Sequence, residues 1–135
     1  MPPQARLTSA AANAQIDAVT ALLNGGWLDV YDGTQPASAD DRPSGANVLA
    51  SLQFGSPAFF PGVNGVAIAH PMTPDMDAMR TGTATWYRLT RADHRTGVAD
   101  GSVGTADANL IMNAVAIQQH AEVAIGAFTL TASRS

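Results

Sequence analysis

The sequence predicts a mainly β protein: an antiparallel β-sandwich of the jelly-roll kind preceded by one N-terminal α-helix. Three observations predict it. An alanine-rich stretch near the start has helical spacing, and the chain after it breaks into seven short apolar or alternating runs. Most of these runs are bounded by Gly, Pro, Asn or Asp, without the strand–helix alternation of parallel α/β folds. At 135 residues the chain has the size of one domain. It divides into an arm and helix (residues 1–24) and a β-sandwich (residues 25–135), together one structural unit.

In "LTSAAANAQIDAVTALLN", residues 7–24, Ala12, Ile16, Val19 and Leu23 are spaced by four, three and four, which is one stripe of a helix. Thr8 or Ser9 can cap its start by accepting a hydrogen bond from an orphan N–H, and Asn24-Gly25 supplies a left-handed stop. Pro2 and Pro3 keep "MPPQAR" out of the helix, so a flexible arm is expected there. After Gly26 the period becomes alternating. In "WLDVYDG" Leu28 and Val30 form the expected core face, with Trp27, Asp29 and Tyr31 on the other. "TQPASADDRPSGA" is a loop by composition. Further strands are expected at residues 47–54, 65–70, 82–91, 98–103, 110–113 and 122–132, the last weakened or bulged at Gly126.

Composition narrows the function. Apolar residues make up 46% of the chain and charged residues 13%, about half the usual charged share. Such a surface relies on small polar residues or on cover by other subunits. Cysteine is absent, which removes disulfides, zinc–thiolate sites and thiol nucleophiles. The net charge is −4 and the seven arginines are scattered without lysine support, so no nucleic-acid partner is expected. No apolar run reaches the ~20 residues of a membrane span and no export signal is evident, so no membrane partner is expected either.

Catalytic patterns are weak. His70, His94 and His120 show no ligand spacing and read as isolated loop histidines. Gly55-Ser56-Pro57 does not reproduce a nucleophile elbow, and the glycines of "GVNGVAIAH" lack a phosphate-loop lysine. Asp75, Asp77, Asp100 and Asp107 read as solvated turn aspartates rather than an acid–base pair or a calcium loop. Asp29 is given no catalytic role. No metal, no cofactor and no enzymatic activity are expected. Two apolar features suit binding instead. "FGSPAFFPGV" gathers Phe54, Phe59, Phe60 and Val63 around two prolines, and one of Phe59 and Phe60 needs a cover outside the core. "HPMTPDMDAM" adds Met72, Met76 and Met79, whose flexible thioethers suit adaptable contacts. With Trp27 and Tyr31 on the first strand, the candidate interface is Trp27, Tyr31, Phe59, Phe60, Met72, Met76 and Met79.

In order along the chain, "GGWLDVYDGTQPASAD", "LASLQFGSPAF", "GTATWYRL", "DGSVGTADANL" and "VAIGAFTLT" resemble a family of small virion proteins of tailed phages and prophages. "LDVYDGTQPA" and "GTATWYRL" are the most specific of these stretches, and "AHPMTPDMDAMRTG" departs from the family pattern. The resemblance implies a capsid cement or decoration protein. Such a protein is made in the host bacterial cytoplasm and binds the outer surface of the icosahedral shell, usually as a dimer or trimer, with the major capsid protein as its partner. Another virion role in tail, neck or fibre is the alternative. A jelly-roll enzyme would require a convergent His or carboxylate cluster.

Overall fold

A computed structural model describes residues 7–43, 45–112 and 114–131. The expected N-terminal arm and the ends of the strands expected at 110–113 and 122–132 lie outside the described residues. The chain is mainly β with one N-terminal helix. That helix, α1 (Ser9–Ala21), starts at Thr8, whose hydroxyl accepts from Ala11 N at 3.0 Å. It buries Ala12, Ile16 and Thr20, with Leu23 buried just beyond it, so Thr20 takes the place expected of Val19. The helix packs on its own chain through this stripe.

The central sheet follows the order β2 (Val48–Gln53), β1 (Trp27–Tyr31), β5 (Trp86–Thr90), β6 (Gly97–Gly104) and β7 (Leu110–Ile111). All its pairings are antiparallel except β6 with β7, where Val103 faces Leu110 in parallel. Ser102 and Asn109 tie that short return together, with Asn109 Oδ1 accepting from Ser102 N at 3.0 Å. Two small sheets complete the ladders: β3 (Val66–Ile68) with β9 (Thr129–Thr131), and β4 (Gly82–Thr83) with β8 (Ala116–Ile117).

The strand expected at 82–91 is divided because the chain changes partners at Ala84. Ala84 N donates to Val115 O, and the next amide, Thr85 N, donates to Tyr31 O. The strand expected at 122–132 is likewise interrupted: Val123 exchanges two backbone hydrogen bonds with Asp75, and among the described residues of that span only Thr129–Thr131 forms a ladder. The open edge of β2 is closed by an irregular segment. Thr73 N donates to Gln53 O, Met79 N to Leu49 O, and Ser51 N to the Asp75 carboxylate, which removes a template for unwanted strand pairing.

One apolar core joins these parts. Leu28, Val30, Leu52 and Leu89 of the central sheet are fully buried and cluster with Ile16 of the helix, Ala67 of β3 and the rings of Phe54, Phe59 and Phe128. Burying one such side chain contributes about 1.5–3 kcal/mol. Tyr87 packs against Gly101: a Cβ there would stand 2.6 Å from the phenol oxygen, so any larger residue would have to displace the ring.

Candidate contact surface and polar cleft

The second face of the central sheet is polar and nearly dry. The registers Asp29↔Ser51, Asp29↔Arg88 and Arg88↔Asp100 align Ser51, Asp29, Arg88 and Asp100 in one row across four strands. Asp29 and Arg88 are 5% and 7% exposed. Arg88 is paired with Asp100 at 3.0 Å, and the cost of removing both charges from water is offset only because each finds further partners. Alternation put Asp29 and Tyr31 on this face, but loops cover most of it.

Two loops make the cover. Residues 32–43 and 45–47 belong to a strap, closed at its base where Asn47 N donates to Asp32 Oδ1 at 2.7 Å. Trp86 Nε1 donates to Asp32 O and Thr85 Oγ1 to Gly33 O, while Gln35 Nε2 donates to Asp100 at 3.1 Å. Arg88 Nη1 donates to the Asp41 carbonyl and Nη2 to that of Ser38. The second loop, between β5 and β6, is shaped by Asp93. Its carboxylate accepts from Thr96 Oγ1 and from the Thr96 and Arg95 amides, bonds that hold its pKa down to about 2, the Thr96 hydroxyl having the largest effect.

That loop delivers His94, at φ 59°, onto the polar face. The imidazole stacks on Trp27 with centroids 4.3 Å apart, and its Nε2 lies 2.8 and 3.0 Å from the two oxygens of Asp29. A carboxylate only accepts, so Nε2 carries the proton and Nδ1 is left as an acceptor in the neutral ring. Ser51 Oγ donates to the same carboxylate at 2.7 Å. Hydroxyl and imidazole therefore both address Asp29 and not each other, an order that ties a loop to two strands. A nucleophile–base–acid relay would place the imidazole between the other two.

Between strap and loop opens a cleft of about 320 Å³, bordered by residues 39–43 and 94–97 and floored by Asp29, Tyr31, Arg88 and Thr90. Tyr31 stacks on Trp86 at 4.2 Å, and burial, reinforced by the Asp29 charge and opposed by Arg88, raises its pKa. Among the described residues no three His, Cys, Asp or Glu side chains converge as a metal site needs.

The other surface feature is apolar. Phe60 N donates to Ile68 O across a hairpin whose tip, Asn64-Gly65, has φ 52° and 76°, the left-handed pair of a two-residue turn. Phe59 turns inward, its ring 5.4 Å from that of Phe54, and Phe60 turns outward beside Ile68. Phe60, Ile68 and Val63 are 48%, 52% and 67% exposed. Helix side chains hold this hairpin: Asn13 Oδ1 accepts from Gly65 N and Asp17 Oδ1 from Gly62 N.

The seven candidate interface residues are thus scattered. Phe60, Met76 and Met79 are exposed. Phe59 belongs to the core, Met72 is buried beside the β2 edge, Tyr31 is buried on the polar face, and Trp27 is half-buried under His94. These four placements correct the expectation of an open contact surface: each ring or thioether is already covered by its own chain. The histidines are not isolated either, since His120 contacts Asp77 and His70 packs on Phe60. Asp75 and Asp100 are structural acceptors instead of solvated turn aspartates.

Sequence reasoning gave Arg88 and Thr90 no role and read His94 as an isolated loop histidine. Treating residues 82–91 and 98–103 as neighbours in a hairpin would have set Arg88 opposite Asp100, a cross-strand charge pair. Asn64-Gly65 between apolar runs was likewise a hairpin signal. No family model, curated protein or solved structure matches this chain.

Proposed function

We propose that this chain is a capsid cement protein of a tailed phage, which attaches to the outer surface of the shell and stabilises it through contact area. The observation that carries this reading is the hairpin surface. Phe60 and Ile68 sit opposite one another on its outward side, both about half exposed, and Val63 projects near its tip. Paired apolar side chains fixed on a strand framework suit a partner surface better than they suit water. Exposed Met76 and Met79 add adaptable contacts. The low charge of the chain and its resemblance to small virion proteins support the same reading.

In this account the central sheet and the two small sheets are the layers of a distorted β-sandwich, supported by the single core that they share. The protein acts as a dimer or trimer with the major capsid protein as partner, and avidity between neighbouring copies on the shell supplements modest single contacts. The test is co-sedimentation with purified shells lacking the protein. The double variant Phe60→Ser, Ile68→Ser is expected to lose about tenfold or more in affinity while keeping its melting temperature. Unchanged binding would reject this surface as the contact.

A further inference from the structure

The polar cleft is not used by a role based on apolar contact area. Its floor has two buried atoms without a hydrogen-bond partner, Arg88 Nε and Thr90 Oγ1. They are the kind of unmet groups that a folded chain keeps at a cost unless something completes them. Arg88 and Thr90 stand two residues apart on one face of β5, and both line the cleft. His94, exposed at the mouth of the cleft, adds its Nδ1, since Nε2 is committed to Asp29. The Tyr31 hydroxyl has no hydrogen-bond partner among the described residues, and a phenol can both donate and accept.

The charges select the class of ligand. Across the floor Asp29, Arg88 and Asp100 alternate in sign, and the border adds the carboxylates of Asp40 and Asp41 and the guanidinium groups of Arg42 and Arg95. An anion would meet the carboxylates of Asp29, Asp40 and Asp41, and a cation would meet Arg88, Arg42 and Arg95. What remains is a neutral molecule that both donates and accepts hydrogen bonds at several points. The 320 Å³ volume lies at the lower end of small-molecule sites, which span roughly 300–1,000 Å³.

We propose that this cleft binds a neutral polyhydroxylated ligand of about one sugar ring, held by Arg88 Nε–H, the hydroxyls of Thr90 and Tyr31, and His94 Nδ1. The site is separate from the Phe60–Ile68 surface, so it stands or falls independently of the shell-binding role.

The test is titration of the full-length ¹⁵N-labelled protein with D-glucose, D-galactose and N-acetyl-D-glucosamine, with sodium phosphate and sodium acetate as ionic comparisons. The expected result is saturable shifts of amides in residues 39–43 and 94–97 with at least one sugar, in the millimolar range, and none that saturate with either salt. Thr90→Val keeps the shape and removes the orphan hydroxyl, so sugar affinity should fall about fivefold or more while the melting temperature holds or rises. Absence of saturable shifts with all three sugars, saturation by phosphate or acetate instead, or unchanged affinity in Thr90→Val would each overturn the proposal.

Discussion

Across β2, β1 and β5, Leu52, Leu28 and Leu89 line one face of the sheet and Ser51, Asp29 and Arg88 the other. The leucines are fully buried, and Asp29 and Arg88 are almost as dry. On the apolar face burial is its own reward, because removing hydrocarbon from water is favourable whatever the partner. On the polar face burial is tolerated only because named atoms meet: Arg88 with Asp100 and two strap carbonyls, Asp29 with Ser51 and His94. One face therefore accepts changes of shape within its volume, whereas the other accepts none that leave a charge alone.

Asp100→Ala removes the carboxylate partner of the buried Arg88 guanidinium and leaves its charge to two strap carbonyls. A loss of about 3–5 kcal/mol in urea unfolding is expected. The double variant Arg88→Met, Asp100→Leu should be less damaging than the single one, and equal or additive losses would contradict the assignment. Leu89→Ala on the apolar face comes next, at about 3 kcal/mol, as a transfer and cavity cost with no dependence on the polar row. Gly101→Ala pushes a methyl group against the Tyr87 ring, and about 1–3 kcal/mol of overpacking is expected from the same measurement. Tyr87 has its pKa pushed up to about 12 by burial and then by Asp100, so loosening the ring should bring its ultraviolet titration down toward the ordinary tyrosine value.

A smaller effect is expected at the loop that carries His94. Asp93 is fully exposed, yet hydrogen bonds, led by that from the Thr96 hydroxyl, hold its pKa at about 2. A carboxyl depressed on folding contributes stability that is complete above its unfolded pKa and disappears as the pH falls through its folded value. Carboxyl carbon NMR should therefore show Asp93 titrating near 2, and Thr96→Val should move the midpoint upward. An unmoved midpoint would mean that the side-chain hydrogen bond does not shape this loop.

The two faces also differ in how legible they were. Alternation in "WLDVYDG" identified Leu28 and Val30 as core, and helical spacing with a Thr cap located α1, because both signals are local. The same alternation put Asp29 and Tyr31 on the opposite face correctly. Whether that face meets water depends on the strap, however, whose ties to Arg88 and Trp86 span about fifty residues. Nothing in the loop composition announces those ties. The inward turn of Phe59 and outward turn of Phe60 were foreseeable as a pair, though not which ring would go inside. β8 was missed because its two residues, Ala116 and Ile117, form a ladder only by meeting β4.

The role proposed for this chain is contact by area, as a protein of the phage shell. Its most direct test is the copy number in purified virions, measured by quantitative mass spectrometry against the major shell protein. A count comparable to the shell protein is the predicted result. A count far below it would contradict the cement reading in favour of tail or neck, and complete absence would contradict any role in the particle.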